Sequence, residues 1–146
     1  MQDTVSDTMV EPAGVEPAET PNEIPGHFWS VVAVSLLWNG YGAYDYTAYQ
    51  LGMTPPIPGI DSAPVWATAA WALGVWGSFA GSVLLLMRSR HAVTAFVVSL
   101  VSAVVSFGWQ FSAGIVPTPV LPAVILAAVA FFGWYAAKMR AADVLR

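Results

Sequence analysis

The sequence predicts an all-α membrane protein: four transmembrane helices in an antiparallel bundle, both ends cytoplasmic, with a disordered acidic tail before the first span. Three observations predict it. Of the 146 residues, 57% are hydrophobic and 10% charged, with a mean hydropathy of +0.63, whereas a soluble domain carries about a quarter charged residues. The apolar residues fall into blocks of about 20, the length that crosses about 30 Å of hydrocarbon at 1.5 Å per residue. The five Lys and Arg residues cluster in two places, which gives the blocks a direction across the membrane.

The chain divides into a tail over 1–26, a helical membrane domain over 27–140 and a short cytoplasmic C-terminal tail over 141–146. In the first part Asp3, Asp7, Glu11, Glu16, Glu19 and Glu23 alternate with Pro12, Pro17, Pro21 and Pro25, with no Lys or Arg. Such a segment has too little apolar surface to offset the entropy of ordering, so disorder is expected. A signal peptide needs a basic stretch directly before its apolar core. An acidic one precedes the first span here, and that span is expected to stay in the mature protein.

Spans are predicted over 28–49, 64–87, 92–111 and 119–137. Pro55, Pro56, Pro58 and Gly59 forbid regular helix between the first two. Pro117, Pro119 and Pro122 suit the start of the fourth, where a missing N–H is harmless. Arg88-Ser89-Arg90-His91 is a connection so short that spans 2 and 3 are antiparallel neighbours. A soluble bundle requires a polar stripe on each helix, and these segments are apolar around most of their circumference.

Arg88 and Arg90 lie between spans 2 and 3; Lys138, Arg140 and Arg146 follow span 4. The positive-inside rule makes both places cytoplasmic, and an even number of spans brings the N-terminus to the same side. Aromatic residues repeat the assignment. Phe28, Trp29, Trp134 and Tyr135 mark the inner interface; Tyr44, Tyr46, Tyr49, Trp66 and Trp109 mark the outer one. The expected location is the bacterial inner membrane, with the lipid bilayer as the first partner.

Helices in lipid associate through close packing and hydrogen bonds. Span 2 carries Gly74, Gly77 and Gly81, and the last two form a GxxxG pair. Span 3 offers Ala95, Ser99, Ser102 and Ser106 at three- and four-residue spacing, and span 4 offers Ala123, Ala127 and Ala130. Two uses compete for these small-residue faces: packing within the chain, or a homodimer contact on span 2.

The densest polar chemistry is Trp38-Asn39-Gly40-Tyr41-Gly42-Ala43-Tyr44-Asp45-Tyr46. Asn39 falls near the bilayer centre, and Asp45 about 10 Å further out by the helical rise. Asp45 is the one carboxylate inside a predicted span, and an intramembrane ionisable residue is a functional candidate by default. It shares a helix face with Trp38, Tyr41 and Tyr49, whereas Asn39 shares one with Gly42, Ala43 and Tyr46. Three roles are open to Asp45. It reaches the headgroups, it accepts a structural hydrogen bond from Gln110 or Thr68, or it is a protonatable substrate or coupling residue. Trp38, Asn39, Tyr41, Asp45 and Gln110 are the candidate site.

Other chemistry is not expected. Cysteine is absent, which removes disulfides, thiolate metal sites and thiol nucleophiles. His27 and His91 have no carboxylate at metal spacing, so neither metal nor cofactor is expected. No phosphate loop, nucleophile elbow or HExxH motif occurs, and no base adjoins a nucleophile, so an enzyme is not expected. Five basic residues at membrane edges do not make a nucleic-acid surface.

The stretch from Trp38 to Tyr46, with the Trp/Gly-rich second span and the basic 2–3 hairpin, resembles a group of small four-helix proteobacterial membrane proteins. Their shared first-span pattern is Trp-Asn-x-x-Gly-Ala-x-Asp-Tyr, and the likeness covers about residues 27–140. Members are described as uncharacterised or as sugar transporters, so the resemblance implies small-solute transport, sugars included. The Pro-Gln hinge of the well-understood three-helix sugar carriers is missing here. The small multidrug resistance exporters also have four helices and a first-span carboxylate. Theirs sits at mid-membrane and their protomers insert both ways, unlike the one-sided charge of this chain. The function expected first is an accessory, scaffold or homo-oligomeric membrane subunit. The alternative is a small-solute transporter with its site on span 1.

Overall fold

The computed structural model describes residues 23–116 and 118–146. The expected disorder of the acidic tail concerns residues that lie, up to position 22, outside the described ones. The described residues form four long helices: α1 (Phe28–Gln50), α2 (Val65–Leu86), α3 (His91–Ser112) and α4 (Val120–Ala141). A single 3-10 turn, Ile60–Ser62, interrupts the proline-rich connection between α1 and α2.

Helices α2, α3 and α4, each 22 residues long, are long and apolar enough to cross a membrane. Helix α1 has the length, at 23 residues, but is not among the three by composition. Its four tyrosines, with Asn39 and Asp45, dilute the aliphatic content. Of the four expected hydrophobic spans, three meet this measure.

Contacts between successive helices run in opposite order along the two partners. Gly74, Gly77 and Gly81 of α2 face Ala103, Ser99 and Phe96 of α3. A Cβ on Gly77 would lie 3.2 Å from that of Ser99, and one on Gly81 would lie 3.0 Å from the Phe96 ring. The Ser99 hydroxyl crosses the gap and donates to the Gly74 carbonyl. The glycine face is therefore occupied within the chain, by α3. Phe96 is fully buried, with its Cβ packed over Gly133 of α4 and its ring tilted against Phe132 at 6.2 Å.

Each helix ends in the same way. After α1 and α3, Gly52 and Gly114 turn with φ of 68° and 69°. The amides of Met53 and Ile115 then reach back to the carbonyls of Ala48 and Gln110. This is a Schellman end, which satisfies carbonyls the helix leaves open. After α2 and α4 the left-handed position is held by Arg88 (φ 57°) and Asp143 (φ 54°), with Ser89 and Val144 donating to Leu84 and Met139.

Two boundaries differ from expectation. Helix α4 runs to Ala141 rather than 137, because Lys138 and Arg140 in its last turn favour a helix C-terminus. The residues after it are no free tail. Val144 and Leu145 are buried in the core with Leu85 and Ala92. Arg146 donates its amide to the Arg88 carbonyl at 2.7 Å and accepts from Arg90 at 2.9 Å. At the other end of the chain Ile24 packs against the core ahead of α1. Phe28 and Tyr135, expected at the membrane interface, are also buried, with rings stacked 6.5 Å apart.

The tight α2–α3 seam makes a direct prediction. Gly81→Val drives a branched side chain into the Phe96 ring and is expected to cost about 1–3 kcal/mol by overpacking. Gly108 has open space where a Cβ would go, so Gly108→Ala should leave stability unchanged or raised. Unfolding titrations in mixed micelles measure both. Equal effects of the two changes would contradict the seam.

Candidate functional site

Helix α1 buries one turn-spaced polar pair, Ser35 and Asn39, because Val32, Ser35, Asn39 and Ala43 recur at helical spacing on its inner side. Ser82 of α2 meets this pair. The Ser35 and Ser82 hydroxyl oxygens are 2.6 Å apart, and Asn39 Nδ2 donates to Ser82 Oγ at 2.8 Å. Ser82 Oγ also lies 3.1 Å from the Ser78 carbonyl and 3.2 Å from that of Ser35. Three polar side chains thus satisfy one another in an apolar surround, where an unpaired group is costly. All the hydrogen bonds of Asn39 use its nitrogen; among the described residues its Oδ1 accepts none.

A cavity of about 430 Å³ opens beside this triad, with walls from all four helices. From α1 come Trp38, Asn39, Tyr41, Gly42, Asp45 and Tyr46. Trp71, Gly74 and Ser78 of α2 form the floor with Ala103, Ser106 and Phe107 of α3, and Leu121, Ile125 and Val129 of α4 close the far side. The space exists for two reasons. Gly42, Gly74 and Ala103 contribute little bulk, and α1 is held to α4 at its opposite end by Phe28 and His27 on Tyr135. Trp38, Tyr41, Asp45 and Leu121 are exposed, so the cavity is open along the α1–α4 side.

Four of the five candidate residues line this cavity. Asn39 lies inside, while Trp38, Tyr41 and Asp45 form the rim. The two faces of α1 that the helical spacing separates both border it, because the cavity wraps around the edge of the helix. Gln110 is not on the wall. It is buried and donates to Ser106 Oγ at 3.1 Å, orienting a residue that is. Asp45 takes no hydrogen bond from Gln110, nor from Thr68, whose hydroxyl points to the Pro64 carbonyl at 3.5 Å. Of the packing candidates, Gly77, Gly81 and Ser99 serve the α2–α3 seam, whereas Gly74 and Ser106 also border the cavity. Ser102 is half-buried.

Sequence reasoning missed Ser35 and Ser82, the partners that fix Asn39. The i, i+4 spacing of Ser35 with Asn39 and of Ser78 with Ser82 was the available signal. It also missed Trp71, whose ring meets Tyr46 edge-on at 5.0 Å and Tyr49 at 5.4 Å. Nothing in α2 alone distinguishes Trp71 from its other tryptophans.

Chemically, the cavity offers hydrogen-bond acceptors, ring faces, and the N–H and O–H donors of Trp38, Trp71, Tyr41 and Tyr46. Its acceptors are Asn39 Oδ1, the Asp45 carboxylate and the Ser106 hydroxyl, and its rings include Trp38, Tyr41, Tyr46 and Phe107. Comparison of the chain with protein-family models, curated proteins and solved structures gives no match.

The triad is expected to be strongly coupled. Ser82→Ala leaves Asn39 Nδ2 with one long contact to Ser35 and should cost about 1–3 kcal/mol. Adding Asn39→Leu should then cost little more, since the polar group left unsatisfied is removed with it. Fully additive losses in a double-mutant cycle would disprove the coupling.

Proposed function

We propose that this chain is a four-span inner-membrane protein that binds a small solute in the cavity between α1 and α4 and carries it across the bilayer. The cavity carries the reading. Its volume of about 430 Å³ falls within the range of about 300–1,000 Å³ usual for small-molecule sites. It is also bordered by Trp38, Asn39, Tyr41 and Asp45, all four of the candidate residues on the first span. The resemblance to small four-helix membrane proteins described as uncharacterised or as sugar transporters points the same way. An accessory or scaffold role rests on a glycine face that α3 already covers.

In this reading α1 also spans the bilayer. Its buried polar side is matched by Ser82, and its remaining surface is rich in aromatic and aliphatic residues. The ends of α2 and α4 that carry the basic residues face the cytoplasm, together with the start of α1. Lys138 lies 5.5 Å over the Trp134 ring, a pairing suited to an interface where an apolar ring meets headgroups. The connection between α1 and α2 is then periplasmic.

Two experiments test this. Position 42 lines the cavity and has open space around a Cβ, so Gly42→Leu should fill the site without a clash. Replacing a mid-helix glycine should hold or raise stability by about 0.5–1 kcal/mol. A thermal-shift screen with sugars, amines and carboxylates should find compounds that stabilise the wild type and not Gly42→Leu. A screen with no such compound refutes the solute site. For topology, Ser62→Cys in the exposed α1–α2 connection is a close isostere. It should react with an impermeant thiol reagent in intact spheroplasts. Gly59 is a poor position for the label, since its φ of 88° strains any side chain. Reaction only after lysis would invert the topology.

A further inference from the structure

The walls of the cavity are one-sided in charge. Asp45 puts a carboxylate on the rim, and no Lys, Arg or His among the described residues lines the space. All five basic side chains lie at the other end of the helices, beyond Leu86 and from Lys138 onward. Asn39 is 4% exposed. Its nitrogen is committed to Ser82 and Ser35, and its Oδ1 accepts no hydrogen bond among the described residues. Ser106 accepts a hydrogen bond from the amide of Gln110. The Ser78 proton is spent on the Val75 carbonyl at 2.9 Å. The amide and carboxylate oxygens are acceptors, and the Trp38 and Trp71 indole N–H groups with the Tyr41 and Tyr46 hydroxyls are the neutral donors, so the one formal charge on the lining is negative.

Around these acceptors stand ring faces. Trp71 and Tyr46 form one edge-to-face pair, and Trp38, Tyr41 and Phe107 complete the aromatic surround. An aromatic face attracts a cation through its quadrupole, most strongly where water is scarce. A carboxylate beside such rings completes a site for positive charge. An anion would meet Asp45 and the oxygen dipoles with no compensating base.

Resting on the solute-binding reading above, we infer that the solute is an organic cation with apolar substituents, an aryl or alkyl ammonium or phosphonium, seated between the aromatic rings with its charge toward Asp45. The apolar remainder of the ligand lies against Leu121, Ile125 and Val129 of α4. Entry is from the open α1–α4 side, past Trp38 and Tyr41.

The test measures binding of tetraphenylphosphonium and of neutral triphenylphosphine oxide to the full chain in lipid nanodiscs, with empty nanodiscs as the background. The cation should bind at least about tenfold more tightly than the neutral probe. Asp45→Asn should remove that preference while leaving the neutral probe's affinity in place, and Asp45→Glu should restore it. Asp45 is exposed and its side chain makes no hydrogen bond among the described residues, so these variants should fold, and size-exclusion chromatography verifies it. Equal affinity for both probes, unaffected by Asp45→Asn, overturns the cation assignment and leaves the solute site standing. A wild-type chain that binds neither probe above background overturns the cation assignment too. If it also yields no hit in the thermal-shift screen, the solute site falls with it.

Discussion

The close approach of α2 and α3 is the constraint on which the remaining packing depends. Three glycines on α2 remove the side chains that would hold the backbones apart, and Ser99 fills the gap with a hydrogen bond to the Gly74 carbonyl. Close packing and such bonds are what hold helices together where lipid surrounds them, because burial from lipid gives no hydrophobic gain. With the pair fixed, Phe96 has a defined place between Gly81 and Gly133, and that places α4. Ser82, on the other side of α2, is then available to α1. One helix thus presents a small-residue face to one neighbour and a hydroxyl to another.

Much of this was legible in the residues. The four helices begin and end within a few positions of the predicted spans, since prolines and glycines mark the connections. Small-residue spacing in α2 and α3 identified the faces that meet, though it could not say whether the partner was another chain. The geometry of a short Arg-Ser-Arg turn favours the nearer partner. What hydropathy could not reveal was polar structure at the ends. Arg88 and Asp143 adopt left-handed conformations normally left to glycine, and Val144 and Leu145 return to the core after Lys138, Arg140 and Asp143. A hydropathy window sees a basic end and stops.

The candidate site was legible on one helix and hidden on the other three. Trp38, Asn39, Tyr41 and Asp45 stand out because polar and aromatic residues are rare in apolar segments. Their partners are ordinary serines and small residues, which carry no signal until the fold brings them together. Gln110 shows the difference: its residue type was recognised, but its role is to orient Ser106 from outside the wall. Cavity volume is less readable still, since it arises from what Gly42, Gly74 and Ala103 do not fill.

The Ser35–Asn39–Ser82 triad has a consequence for how the chain is made. Synthesis is vectorial, so α1 leaves the ribosome more than 40 residues before its partner hydroxyl, the separation between Asn39 and Ser82 being 43 positions. During that interval the least apolar of the four helices has two polar groups and no one to satisfy them. In the proposed topology it would wait at the insertion machinery or in the headgroup layer until α2 arrives. The two helices would then enter the lipid as a pair, and a hydrogen bond that looks like internal glue would also set the order of membrane insertion.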